Sequence, residues 1–288
     1  MTITNQSAPV SQGQPPADFS GTASPTTRWL GVAALIGVAV LLVFAFVLSE
    51  PDQRLDPDTN IVIGQFDAVR LLYVHVPVAI LPYLAFSITA LGGVMVLLKG
   101  SASATWWDIT AAAAAEVGVL FAGLTLITGM IWGRPIWNTW WEWGDVRLMT
   151  SLMLFLVYLG YLAYRRAMPV AETRARRSAV VGIVGMINIP IVNRSVEWWE
   201  NRTLHQKSTL TEMKIEDLTL LSLIIGFVVF GLIFVWLMVH RFRIGWLEHQ
   251  AETVGLDAAI MQRRAQAMTG TGVDESVDHP GLTKGGDQ

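Results

Sequence analysis

Six apolar stretches dominate the amino-acid sequence, and each is long enough, or nearly long enough, to cross the hydrocarbon core of a bilayer. They cover residues 29–48, 71–98, 109–131, 148–164, 178–192 and 218–239. Only 15% of the residues are charged, against roughly 25% in a soluble domain, and a soluble fold has too little interior to bury so much apolar side chain. The pattern predicts an all-α integral membrane protein with six transmembrane helices.

The two ends of the chain are polar. Residues 1–28 are rich in Ser, Thr, Pro, Gln and Gly, which predicts a disordered N-terminal tail. Residues 244–288 return to polar sequence and predict a mobile C-terminal tail. Residues 29–243 form the predicted transmembrane domain, which we expect to be surrounded by membrane lipid. The formal net charge of −3 gives no global basic character, so we expect no nucleic-acid partner.

The arginines predict how the helices are oriented. Five arginines lie in the loop 165–177, and Arg241 and Arg243 directly follow the last apolar stretch. Loops rich in Lys and Arg remain on the cytoplasmic side of a membrane, and six spans put these two regions on the same side. We therefore expect both termini in the cytoplasm. The segments 49–70, 132–147 and 193–217 are then external.

The most informative external segment is WGRPIWNTWWEWGDVR, residues 132–147. It contains five tryptophans, which are Trp132, Trp137, Trp140, Trp141 and Trp143. Neighbouring indoles form a flat, amphipathic surface that suits a flat, hydrophobic ligand. The alternative is an aromatic belt at the membrane interface, which explains one or two tryptophans more readily than five. The sequence thus predicts a tryptophan-rich outer loop that binds a ligand.

Two histidines are predicted on the same outer side. His75 lies near the outer end of the second apolar stretch, and His205 lies in the third outer segment. Imidazole is a common axial ligand of haem iron, although a lone histidine is more often a structural hydrogen-bonding residue. The chain has no cysteine and so no C-x-x-C-H attachment site, which means that it is not itself a c-type cytochrome.

Two arginines and one acid accompany these aromatic residues. Arg70 and Arg147 stand at the membrane boundary, where each could meet a haem propionate or could simply anchor a helix end at the lipid headgroups. Asp145 could pair with Arg147 or orient a loop amide.

Glu116 lies within the third apolar stretch, and a carboxylate at that depth indicates either a functional site or a polar contact between helices.

Three segments resemble one known family. The tryptophan segment is similar to the WWD motif of haem-handling membrane proteins, and RLLYVHVPVA and VEWWENRTLHQKST resemble the histidine segments of the CcmC (haem exporter protein C) family. The resemblance extends from about residue 29 to residue 243 and matches the six-span layout. The sequence departs from the family pattern at two positions. Gly144 separates Trp143 from Asp145, and Asn138 stands where the family often has glycine.

The resemblance implies a function and a set of partners. It implies that His75 and His205 are the axial iron ligands and that the tryptophan segment holds a non-covalent, b-type haem, which is transported rather than retained. It also implies a bacterial inner (plasma) membrane protein whose tryptophan-rich loop is periplasmic. Haem would pass to the chaperone CcmE with the help of the ABC-type complex CcmAB and the small protein CcmD, without chemical turnover by this chain.

Two other functions remain open from the residues alone. A membrane electron-transfer subunit with b-type haem usually holds its iron between histidines inside the helix bundle, whereas His205 is predicted in a loop. A secondary transporter would have inverted repeats with broken helices near the midplane, and the sequence has no such pattern. Haem binding and delivery for c-type cytochrome biogenesis is therefore the function we expect.

Overall fold

The computed structural model describes residues 24–99, 101–205 and 217–270. These residues form seven α-helices and one two-stranded hairpin. The helices are α1 (Pro25–Val43), α2 (Leu72–Leu98), α3 (Ser101–Trp137), α4 (Val146–Ala167), α5 (Ala171–Met186), α6 (Asn188–Trp198) and α7 (Asp217–Gly270). The strands are β1 (Asp52–Leu55) and β2 (Val62–Phe66). A π-helical turn, Phe44–Leu48, extends α1, and the 3₁₀ turns Asp67–Leu71 and Glu200–Arg202 precede α2 and follow α6.

The described residues include six helical segments long and apolar enough to span a membrane, which confirms the predicted fold class. These segments are Pro25–Leu48, Asp67–Leu98, Ala104–Trp137, Val146–Ala167, Ala171–Trp198 and Leu218–Gly255. All six extend beyond the apolar stretches at one or both ends, because polar and aromatic residues there still make helical hydrogen bonds. The third segment, for example, continues past residue 131 to Trp137.

The fifth span consists of two helices, where the sequence predicted one span over residues 178–192. The break falls at Ile187, whose N–H donates to the Val184 carbonyl oxygen at 3.1 Å and closes the last turn of α5. Pro190 lies in the first turn of α6, where its missing N–H costs no helical hydrogen bond. In α2 the helix continues through Pro77 and Pro82.

Small residues let α2 and α3 approach each other closely. The alanines at positions 113, 114 and 115 of α3 are almost fully buried. The ring of Phe86 stacks on Tyr158 of α4 with 3.6 Å between the ring centroids, and a side chain at Gly118 would collide with Phe86. Close packing of small residues replaces the hydrophobic driving force that helices lack in lipid. This packing fixes the helix that carries His75.

A buried ion pair joins three helices at the end of the bundle opposite the tryptophan segment. Arg165 of α4 forms two hydrogen bonds with the Asp108 carboxylate of α3, at 2.5 and 2.8 Å, and a third with Ser178 Oγ of α5 at 2.7 Å. The two charged side chains are only 11% and 13% exposed. Asp108 precedes the third apolar stretch by one residue, so hydropathy gave no sign of this contact.

Replacing Asp108 with alanine leaves the Arg165 guanidinium buried without its carboxylate. We expect a loss of about 3–5 kcal/mol in the free energy of unfolding, measured by denaturation in detergent. Glu172→Ala is the matched control, because the Glu172–Arg176 ion pair is exposed and should contribute about 1 kcal/mol or less. Equal losses in the two variants would contradict a structural role for the buried pair.

Glu116 also lies in an ion pair between helices. Its carboxylate accepts two hydrogen bonds from the Arg241 guanidinium of α7. The contact provides the charge compensation that a carboxylate in a membrane span requires. Glu116 therefore contributes to packing between α3 and α7, which was one of the two readings that the sequence left open.

Three elements differ from the expectations for loops and tails. The hairpin of β1 and β2 occupies the predicted outer segment 49–70, and the side chain of Asp56 accepts hydrogen bonds from the amides of Asp58 and Thr59 in its turn. Helix α7 continues to Gly270, so residues 244–270 are helical where a polar, mobile tail was predicted. At the other end α1 begins at Pro25, inside the predicted tail. Residues 1–23 and 271–288 lie outside the described ranges.

Candidate haem-binding site

Three segments that are distant in sequence meet at one end of the bundle. Trp132 Nε1 donates to Gln65 Oε1 of the hairpin at 3.2 Å. The ring of Trp137 lies 4.7 Å from that of His205, and the Leu204 amide donates to Asp145 Oδ2 at 2.6 Å. The hairpin, the tryptophan segment and the stretch after α6 therefore form one continuous surface, as the six-span layout predicted for the outer segments.

His75 lies in the first turns of α2 and faces the end of α3. Its ring centroid is 5.4 Å from that of Trp132, and its Nδ1 is 2.8 Å from Thr128 Oγ1. Gly129 makes room for the imidazole, since a Cβ at that position would lie 3.1 Å from His75 Cε1. Packing on two helices thus fixes the ring.

His205 lies just after the short 3₁₀ turn that follows α6, and its side chain is partly buried. Its ring packs edge-on against Trp137, and its Nδ1 faces Asp145 Oδ2 across 3.6 Å. His75 packs against Trp132 and His205 against Trp137, and both tryptophans belong to the C-terminal part of α3. The two histidines that the sequence singled out therefore approach the same site from different elements.

The sequence suggested that all five tryptophans lie on one loop, but in the structure only three of them do. Trp132 and Trp137 belong to the last turns of α3, because helical hydrogen bonding continues through the segment up to Trp137. The loop that follows carries Trp140 and Trp143, which are 56% and 73% exposed, and the less exposed Trp141. The rings of Trp141 and Trp143 are 5.8 Å apart and nearly perpendicular. The helix orients two indoles toward the histidines, and the loop leaves two others exposed.

The departures from the WWD pattern have local structural reasons. Asn138 ends α3 with a φ of 55°, a left-handed conformation that glycine adopts freely and asparagine tolerates better than most residues. Its side-chain oxygen also accepts a hydrogen bond from Arg134. The extra Gly144 is exposed, and its amide donates to Glu142 Oε1 at 3.1 Å. The hydrogen bonds of both residues are local to the end of α3 and the turn between α3 and α4.

Asp145 is 1% exposed and connects two elements. Its Oδ1 accepts from the Leu148 amide at 2.9 Å and caps α4, while its Oδ2 accepts from Thr203 Oγ1 at 3.1 Å and from the Leu204 amide. Burial opposes ionisation, but the neighbouring His205 and these backbone donors outweigh it and lower the pKa of Asp145 to about 2. The sequence left open whether Asp145 pairs with Arg147 or orients a loop amide. Its contact with the Leu204 amide corresponds to the second role.

The two arginines have different surroundings. Arg147 is partly buried near His75 and Tyr83, and its guanidinium makes no hydrogen bond or ion pair within the described ranges. Arg70 instead donates to the Ser49 carbonyl oxygen at 3.3 Å, and it lies 3.4 Å from the Asp67 carboxylate. Arg147 thus lies near His75, while the contacts of Arg70 are with the segment after α1 and with its own turn.

Comparison with known proteins identifies the family. The model of the family described as Heme exporter protein C, CcmC, matches residues 10–256 of the chain. The chain belongs to the CcmC family. CcmC proteins named Heme exporter protein C are 34% identical in Bradyrhizobium diazoefficiens, over 79% of this chain and 81% of that protein, and 32% identical in Haemophilus influenzae, over 81% and 88%. The protein of that name from Rhodobacter capsulatus is 32% identical over 79% of this chain and 89% of its own length.

Membership in the CcmC family supports a haem-handling role in the biogenesis of c-type cytochromes, in a multi-pass membrane protein. The residues present suit haem as the handled molecule. Two imidazoles, which can bind iron, several indoles, which suit a flat porphyrin, and an arginine with no carboxylate partner among the described residues lie at one end of the bundle. The CcmC motifs did not indicate Gln65, Thr128, Gly129 or Thr203, because their part in the site depends on how separate elements pack.

Proposed function

We propose that this chain holds haem at the periplasmic face of the bacterial inner membrane and delivers it to the haem chaperone CcmE. The observation that carries the proposal is the approach of His75 and His205, from two different elements, to one tryptophan-lined site. Two imidazoles from separate elements suit the two axial positions of haem iron. Such a haem is b-type and non-covalent.

The surrounding residues suit the rest of the haem molecule. Trp140 and Trp143 offer exposed indoles to the porphyrin, and Arg147 offers a cation to a propionate without first breaking an ion pair among the described residues. Arg70 would have to give up its contacts with Ser49 and Asp67 to serve a propionate, so the geometry favours Arg147.

A carrier accounts for the site better than an electron-transfer subunit. His205 is held by a short stretch after a 3₁₀ turn rather than inside a helix, and the nearby indoles are exposed. A ligand on such a stretch can leave the iron more easily than a ligand fixed within a helix. A permanent electron carrier needs haem retention, whereas delivery needs release. We infer no catalytic turnover by the chain itself, and we propose CcmAB and CcmD as assisting partners on the basis of the family resemblance.

The proposal is tested by measuring transfer of haem. The purified, haem-loaded protein is mixed with CcmE that lacks haem, the two proteins are separated, and haem is quantified on each. We expect haem to leave this chain and appear on CcmE. Haem that stays on this chain under conditions where CcmE accepts free haem would favour the electron-transfer alternative.

The proposed orientation makes a separate prediction. A cytoplasmic location for the end of the bundle opposite the tryptophan segment is supported by the arginines of segment 165–177 and by Arg241 and Arg243. Reporter fusions within 165–177 should therefore read cytoplasmic, and fusions near Trp140 should read periplasmic. The reverse pattern would place both histidines at the cytoplasmic face and would contradict delivery to a periplasmic chaperone.

A further inference from the structure

Each of the two histidines has its Nδ1 turned toward the protein. For His75 the partner is Thr128 Oγ1 at 2.8 Å. The Thr128 hydroxyl donates its own hydrogen to the Leu124 carbonyl oxygen at 2.8 Å, so toward the imidazole it acts as an acceptor. The hydrogen of a neutral His75 is then on Nδ1. Its Nε2 keeps the lone pair that a metal requires.

For His205 the corresponding partner is the Asp145 carboxylate. His205 Nδ1 is buried, makes no hydrogen bond within the described residues, and faces Asp145 Oδ2 across 3.6 Å. An ionised carboxylate only accepts hydrogen bonds, and a small movement of the ring would bring Nδ1 within hydrogen-bond range. The hydrogen of His205 is therefore also favoured on Nδ1. The same carboxylate oxygen holds the adjacent Leu204 amide and Thr203 hydroxyl.

We propose that Thr128 and Asp145 are positioning residues that fix the tautomers of His75 and His205, direct both Nε2 atoms to the iron, and make the two ligands electronically unequal. The inference rests on the proposed function. Metal-ligating histidines commonly donate their second N–H to a partner that orients the ring and raises its basicity. The neutral hydroxyl of Thr128 increases the electron density of the His75 ring only weakly, whereas the Asp145 carboxylate does so strongly for His205. His205 is therefore the more electron-rich ligand.

The arrangement gives Asp145 control over the ligand that the proposed function releases. One buried carboxylate caps α4, holds the stretch that carries His205, and supplies the charge behind its imidazole. Loss of the carboxylate's charge would lower the electron density of the His205 ring, whereas loss of its hydrogen bonds would loosen the segment that carries His205. His75, which is packed between two helices, would continue to hold the iron during hand-over.

The test compares the reduction potential of bound haem in five variants of the haem-loaded protein, by spectroelectrochemical titration. An electron-rich imidazole stabilises Fe(III), so Asp145→Asn should raise the Fe(III)/Fe(II) potential and weaken haem retention by about 10- to 100-fold. Thr128→Val should raise the potential by less, and Thr128→Ser, which keeps the acceptor, should restore the wild-type value. Thr203→Val loosens the stretch but keeps the carboxylate charge, so it should leave the potential unchanged.

Thr125→Val provides the matched control for Thr128→Val. Thr125 lies one turn away on α3, and its hydroxyl contacts the Val78 carbonyl oxygen of α2 rather than an imidazole. It should keep the wild-type potential and retention. The inference is overturned if Asp145→Asn and Thr203→Val shift the potential equally, or if Thr128→Val and Asp145→Asn leave it unchanged. A wild-type protein without six-coordinate haem would instead overturn the proposed function, so the two failures are distinguishable.

Discussion

Replacing His75 with alanine should lower haem retention by at least about 100-fold, because loss of a ligand exceeds the 10- to 100-fold cost of losing a residue behind it. His205→Ala should lower retention by less. His75 is fixed by α2 and α3, so it can still hold iron when the loop-borne ligand is missing. Retention is measured as the haem-to-protein ratio after extensive washing in detergent.

His240→Ala is the control for the two histidine variants. His240 packs against Trp236 on α7, with 4.6 Å between the ring centroids, among residues next to the predicted cytoplasmic Arg241. Its removal should leave the haem-to-protein ratio unchanged. If His205→Ala lost more haem than His75→Ala, the helix-borne histidine would not be the ligand that persists, and the order of release proposed above would be wrong.

The second large effect is expected when both exposed indoles of the loop are removed. Trp140→Ala together with Trp143→Ala deletes the most exposed part of the tryptophan surface but leaves both histidines and their partners in place. Each indole contributes about 0.5–1.5 kcal/mol to an aromatic contact beyond the area that it buries. We therefore expect roughly tenfold weaker haem retention and slower transfer to CcmE, with normal insertion in the membrane.

Trp29→Ala is the matched control for the tryptophan pair, since Trp29 is 72% exposed on α1 and lies outside the candidate site. It should retain haem normally. Normal retention and transfer in the Trp140→Ala and Trp143→Ala protein would mean that these residues only anchor the loop at the membrane interface. Adding Trp137→Ala should weaken retention further, because Trp137 packs against His205.

Hydropathy predicted the spans but not their ends or their contacts. Apolar stretches long enough for a bilayer indicate a helix whatever surrounds it, so all six were recognisable. The ends depend on hydrogen bonding and on polar partners from other helices. Asp108 is an example. From the sequence, a charged residue beside an apolar stretch indicates the end of a transmembrane helix, and only the fold shows that Asp108 is buried against Arg165 of α4. The hairpin was also missed, because segment 49–70 was interpreted only as an external segment between two spans.

The motifs indicated candidate ligands for the site but not the residues that contact those candidates. His75, His205 and the tryptophans stand out in the sequence because imidazole and indole are side chains that suit iron and porphyrin. Thr128 carries no such signal, because threonine is common in membrane helices and its contact with His75 depends on the register of α3 against α2. For Asp145 the motif predicted importance, while its contacts with the stretch before His205 required the fold.

The most direct test of the account is the ferric absorption spectrum of the purified protein, with and without each histidine. Two imidazole ligands give six-coordinate, low-spin haem, so the wild-type protein should have that spectrum. His75→Ala and His205→Ala should each shift it toward a five-coordinate or water-ligated form, and added imidazole should partly restore it. Arg147→Ala should weaken retention without changing the spin state, since propionates lie off the iron axis. An unchanged low-spin spectrum in both histidine variants would show that the iron is bound elsewhere and would contradict the proposed site.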